Sequence, residues 1–367
     1  MKKFNIVEIE NSYLNFFTPA VIIATGIFLS NLFSWPASFL YWIIDISDMN
    51  VNLDLVKALV ANINGVLICL IVYFVFIPHL KVKDVTFRDS NIENFYVVLP
   101  VFLIIIFFRI ILTFLFEQSG STIYLMSPWF LSSYSLLLDP SVLILFILYQ
   151  FFIIPVYTEL LYRRTVIPLL EDRGLSPLLA VVLSSLGFCL LFLPEYLATS
   201  NYMGTLYWFG STFLFGLATG FIYIITRNIL FPILYAAIYY VYRFTYDFGT
   251  FFRDKNLLFI HLFLNIIILI IGFMILIFII WHLVNRESHS RWVNIIKTPS
   301  ASKITRGVIG YFIISVILVS IHLIAKEYIA SSTSSNILGA FIFNTAFYLL
   351  AFSIPFWLTI TSEYAQY

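Results

Sequence analysis

In the stretch Pro155-Val-Tyr-Thr158-Glu159-Leu-Leu-Tyr-Arg163-Arg164 a carboxylate and a guanidinium stand four residues apart, which on a helix puts them on one face. The residues before it are apolar, and a carboxylate near membrane depth is costly unless a cation compensates it. Two roles are open to Glu159. It can accept a proton from a water molecule, as peptide hydrolysis requires. Alternatively it forms an ion pair with Arg163 that fixes the helix end, with Arg164 reaching toward lipid headgroups. Pairing with Arg163 would make Glu159 a poor proton acceptor near neutral pH. A second stretch runs from Phe215 to Tyr240 and contains Gly216-Leu-Ala-Thr-Gly220, a spacing that lets another helix approach closely. The break at Thr226 to Asn228, followed by Pro232, predicts a tight helical hairpin.

The other chemistry-bearing residues are scattered. Arg109 lies inside an apolar run, where Glu117, eight residues on, is its candidate partner. Arg243 and Asp247 form another i, i+4 pair, worth ~0.3 kcal/mol if exposed. His79, His282 and His289 fall at or beyond helix ends, while His261 and His322 sit in apolar runs without an acidic neighbour at helical spacing and read as hydrogen-bonded packing residues. Cys69 and Cys189 lack C-x-x-C spacing and read as small hydrophobes, not as a disulfide or a zinc site.

The elements that position these residues follow from composition. Hydrophobic residues make up 61% of the 367 and charged residues 11%, with a mean hydropathy of +0.98, so the solvent for most of the surface is lipid. The reading is an all-α, polytopic transmembrane bundle of about ten helices, placed at roughly 16–33, 56–78, 95–116, 140–161, 177–197, 204–226, 229–249, 256–284, 306–326 and 336–360. Trp35 to Ile44 is too short to cross and reads as an interfacial or re-entrant piece. The segment 286–306 carries five cations and no long apolar run, and divides a bundle at 1–285 from a C-terminal hairpin at 307–367. The cations cluster in alternate loops, among them Lys2, Lys3, Lys81, Lys83, Arg88, Arg163, Arg164, Arg173, Arg227 and the 286–306 segment, which puts both termini in the cytoplasm. A net charge of +1 without basic clusters gives no support to nucleic-acid binding. The polar first 16 residues do not form a signal sequence.

The two motif stretches together resemble the CAAX protease and bacteriocin-processing (Abi) family of intramembrane proteases, over about residues 150–245. That family has Glu-Glu-x-x-x-Arg at the end of one helix, Phe-x-x-x-His in the next, then a Gly-x-x-x-Gly helix and His-x-x-x-Asn past a proline. Residue by residue, the resemblance puts the second glutamate on Glu159 and the arginine on Arg163, with Thr158 in place of the first glutamate, the family's water activator. The second motif falls on Phe188-Cys-Leu-Leu-Phe192, with Phe192 at the histidine position, and the third puts Ala236 and Tyr240 where histidine and asparagine stand. No histidine lies between His79 and His261, so no change of register restores them.

The resemblance therefore implies a protease scaffold without its chemistry, with no cofactor and no metal, because Thr, Phe and Ala supply neither a strong base nor a metal ligand. It implies a protein of a bacterial inner (cytoplasmic) membrane that binds another membrane or envelope protein. The alternatives are an active intramembrane endopeptidase using Glu159, and a transporter or channel lined by Arg109, Glu159 and Arg163.

Overall fold

The computed structural model describes residues 53–76, 95–117, 140–199, 202–252 and 255–284, together with 308–313 and a few positions beside it. The expected first helix, the Trp35 to Ile44 segment, almost all of the 286–306 linker, the last helix and Ser300 lie outside the described residues. Among the described residues all regular structure is helical. α1 is Leu53–Ile71, continued by a π-helical turn at Val72–Phe76, and α2 is Phe95–Glu117. α3 is one continuous rod of five pieces from Pro140 to Asp172, described below. α4 is Pro177–Thr199, α5 Tyr202–Thr226, α6 Leu230–Phe252 and α7 Lys255–Val284. Among the described residues four stretches are long and apolar enough to cross a membrane: Val98–Leu115, Pro140–Asp172, Gly204–Thr226 and Leu258–Ile277. The protein is an integral membrane helix bundle.

α3 departs from the sequence expectation, which ended it near residue 161. It carries two π-helical segments, Tyr149–Ile153 and Leu160–Val166, and each is followed within two residues by a proline, Pro155 and Pro168. A proline ring collides with the carbonyl four residues back in an α-helix, and widening the preceding turn relieves that collision. Accordingly the N–H of Ile154 reaches the carbonyl of Tyr149, and that of Ile167 reaches Tyr162, each five residues back. The rod thus continues past both prolines, and past the Arg163-Arg164 pair whose charge suggested an end.

α5 is the centre of the bundle. It packs along α4 most extensively, and also against α2, α6 and the second π segment of α3. α7 covers α2 and α6 from outside, while α1 lies along the first half of α3. α6 shows how sequence sorts faces. Leu230, Leu234, Ile238 and Val241 form an exposed stripe at helical spacing, while Phe231, Tyr235, Tyr239, Arg243 and Asp247 are buried on the opposite side. α7 is mostly exposed apolar surface, as a lipid-facing helix should be; among its described residues His261, Ile268 and Gly272 are buried.

Close contacts are made where side chains are absent. A Cβ on Gly216 would lie 2.9 Å from the Cβ of Ser185, and one on Gly220 2.7 Å from Val181 Cγ1, so both glycines face α4. Two further glycines play the same part: Gly272 of α7 against Phe107, and Gly65 of α1, where a Cβ would stand 2.2 Å from Ile153 Cγ2. The turn between α5 and α6 spans residues 227–229. Arg227 adopts φ = 52°, the left-handed conformation of a helix C-cap, and its N–H closes on the Tyr223 carbonyl at 2.7 Å. Asn228 Oδ1 then accepts from the N–H of Leu230 at 2.9 Å, starting α6.

Candidate functional site

α3 carries Glu159, the last residue of its Ile154–Glu159 piece, and Arg163, in the π segment that follows, into the interior of the bundle. Both side chains are fully buried and Arg163 Nε stands 3.1 Å from Glu159 Oε2. Arg163 Nη2 donates to the Gly216 carbonyl at 3.0 Å and to Thr219 Oγ1, and its guanidinium lies 4.9 Å from the centre of the Phe188 ring. The arginine therefore ties three helices together: its own α3, α5 through the glycine motif, and α4 through Phe188. Gly216 has two functions here, since the missing side chain admits α4 and the exposed carbonyl receives the guanidinium. Arg164, also buried, is directed into protein and not simply outward as expected, because α3 continues and covers it.

Thr158 is fully buried, and its hydroxyl donates to the Ile154 carbonyl of its own helix at 2.7 Å. That back-bonding occupies its proton locally. Ala236 is fully buried on α6, and Tyr240 is half-buried beside it. Phe192 belongs to α4, with its side chain outside the described residues. The space among these positions is filled by rings. Phe215 lies 5.5 Å from Phe188, 5.8 Å from Tyr235, 4.6 Å from Tyr239 and 5.7 Å from Tyr240, and Phe188 meets Tyr162 edge-on at 5.2 Å. Among the described residues the one cation compensating Glu159 is Arg163. As arranged, the cluster can hold a charge pair dry and rigid. Among the described residues no three His, Cys, Asp or Glu side chains gather where a metal ion would fit.

Toward the other end of α5 and α6 lies a second polar group. The Arg243–Asp247 pair, whose exposure the sequence left open, is buried: Arg243 Nε donates to Asp247 Oδ2 at 3.2 Å, with the guanidinium 4.1 Å from the Trp208 ring centre. α6 runs between α5 and α7, which removes this face from solvent. Arg109 of α2 is buried too and lies 5.1 Å from the Tyr239 ring centre. Its expected partner Glu117 ends α2 with a side chain outside the described residues. His261 packs between Tyr242 and Tyr246, its Nδ1 3.3 Å from Thr245 Oγ1.

Sequence reasoning missed Thr219, Tyr235 and Tyr239. Thr219 was legible as the one polar residue inside the glycine motif, facing the same way as Gly216 at i, i+3. The tyrosines gave no signal beyond aromatic density.

Residues 140–241 match the family described as Rce1-like, type II CAAX prenyl endopeptidase Rce1-like. The resemblance read from the motifs is borne out over that segment, which holds α3 to the first half of α6 and all of the Glu159 cluster. No curated protein and no solved structure matches the chain.

Proposed function

We propose that this CAAX-protease-like membrane scaffold is non-catalytic and acts by binding another membrane or envelope protein. The observation that carries the reading is the ring cluster: Phe188, Phe215, Tyr235 and Tyr239 occupy the interior beside Glu159, while the hydroxyl of Thr158 is turned back onto its own helix. Hydrolysis needs a group to activate water and donors for the oxyanion. Glu159 is fully buried against Arg163, and Ala236 brings no polar atom. The same packing weighs against a transporter, whose substrate needs a polar path past these rings. The cation distribution puts both termini on the cytoplasmic side in this reading.

The test is twofold. The purified protein incubated with a prenylated CAAX peptide yields no cleavage product, and crosslinking in native membranes recovers a stoichiometric protein adduct. Cleavage that vanishes in Glu159→Gln while the variant stays folded overturns the non-catalytic reading. Recovery of the protein alone under several crosslinkers overturns the partner.

A further inference from the structure

Between α2, α5, α6 and α7, next to the Arg109 side chain, lies a cavity of about 340 Å³. Arg109 lines it, is only 5% exposed, and leaves Nε and Nη1 without a hydrogen-bond partner. Among the described residues no carboxylate is within salt-bridge distance of it, since Asp247 is engaged by Arg243. The Tyr239 and Tyr242 rings, at 5.1 and 5.9 Å, offset part of the cost of the buried cation but supply no acceptor for its N–H groups. No acidic side chain lines the cavity, whereas donors do. Asn265 accepts from the Tyr242 hydroxyl through Oδ1, which leaves its amide nitrogen to donate. His261 uses Nδ1 toward Thr245, which leaves Nε2, and the Thr113 and Tyr207 hydroxyls bond one another at 3.0 Å. A buried, unpartnered guanidinium surrounded by donors is complementary to an anion.

The route in selects the source of that anion. The remaining lining includes Phe114, Leu262 and Ile266, which are 60%, 56% and 48% exposed on the outer faces of α2 and α7, and both of those stretches are apolar enough to span a membrane. The cavity therefore opens between two lipid-facing helices, toward hydrocarbon. An ion from water does not approach by that route, but a lipid does, its charged head inside and its chains left along Leu262 and Ile266.

We propose that this cavity is a binding site for an anionic lipid, whose phosphate or carboxylate sits on Arg109. The site lies apart from the Glu159 cluster and does not depend on the absence of catalysis there. The test uses the full chain in detergent, exposed to equal amounts of dioleoylphosphatidylglycerol and dioleoylphosphatidylcholine and read by native mass spectrometry. The phosphatidylglycerol adduct is expected in about tenfold excess, falling to the phosphatidylcholine level in Arg109→Gln. Leu262→Trp, a change at the exposed mouth that does not need Arg109 removed, should lower the adduct as well, and decides the matter should Arg109→Gln not fold. Equal retention of the two lipids, or a preference that survives both substitutions, overturns the site. Glycerol phosphate or inorganic phosphate raising the melting temperature as much as phosphatidylglycerol overturns the lipid as source.

Discussion

Consider removing the Glu159–Arg163 pair one charge at a time. Both side chains are fully buried and 3.1 Å apart, so either substitution alone leaves the other charge where neither water nor lipid headgroups reach it. The cost of breaking a buried pair from one side is about 3–5 kcal/mol. Arg163→Gln also loses the bonds to the Gly216 carbonyl and Thr219, adding ~1 kcal/mol for each at most. The double variant has no orphan charge and forfeits only those bonds, so its loss should be smaller than that of the worse single variant. Both orphan-charge costs vanish in the double variant and the lost bonds cancel in the cycle, so the coupling should be at least about 3 kcal/mol. Unfolding by denaturant titration in mixed micelles, for the parent, Glu159→Gln, Arg163→Gln and the double variant, measures it. Losses that add to within about 0.5 kcal/mol would refute the reasoning and mean that Arg163 is held by Gly216, Thr219 and Phe188 alone.

Gly216→Leu should cost far more stability than Leu217→Ala, since a Cβ at 216 already lies 2.9 Å from Ser185, and equal melting temperatures would contradict that close contact. Gly65→Ala should lower the melting temperature although it is the smallest possible change, because the added carbon would stand 2.2 Å from Ile153; a neutral result would mean that α1 can slide on α3. At Arg227, burial opposes charge, but two hydrogen bonds to Glu171 at 2.6 and 2.9 Å raise the guanidinium pKa above the ordinary value, so the pair survives to high pH. Its φ of 52° is one that glycine adopts freely, so Arg227→Gly should be about 1 kcal/mol more stable than Arg227→Ala, and the reverse order in thermal melts would deny the backbone strain. An impermeant thiol reagent applied to intact cells should fail to label a cysteine at Ser300, and labelling there would invert the topology.

Apolarity and length were enough to locate α2, α5 and α7 within a few residues, because lipid imposes the same requirement on each crossing. They were not enough for α3. Its extension to Asp172 depends on π turns ahead of Pro155 and Pro168, and a turn of that kind leaves no mark in hydropathy. The i, i+4 spacing of Glu159 and Arg163 made their contact readable, but not its depth, which the extension of α3 decides. Gly216 and Gly220 advertised a close approach through their spacing, whereas Gly65 and Gly272 stand alone and are explained only by the side chains they meet. Arg109 and His261 are 152 positions apart in sequence and share a cavity, a proximity created by the packing of α2 on α7.

The length of α3 has a consequence for where water reaches the protein. Its 33 residues, at 1.5 Å each, would extend about 50 Å, against a hydrocarbon core of about 30 Å. Tilting by as much as ~40° shortens the projection only to about 38 Å, so part of the rod stands beyond the bilayer. The charges at its last turn, Glu171 paired with Arg227 and Asp172 beside Arg173, mark the Asp172 end as the one that should project. Burial inside lipid replaces one apolar contact by another and yields little, but Leu170, fully buried at an end surrounded by water, is held by the hydrophobic effect in full. A single helix is thus stabilised under two different solvents. Urea, which weakens burial from water, should loosen the Leu169 to Asp172 end and the α5–α6 turn while the Glu159 pair, fully buried among α3, α4 and α5, stays closed.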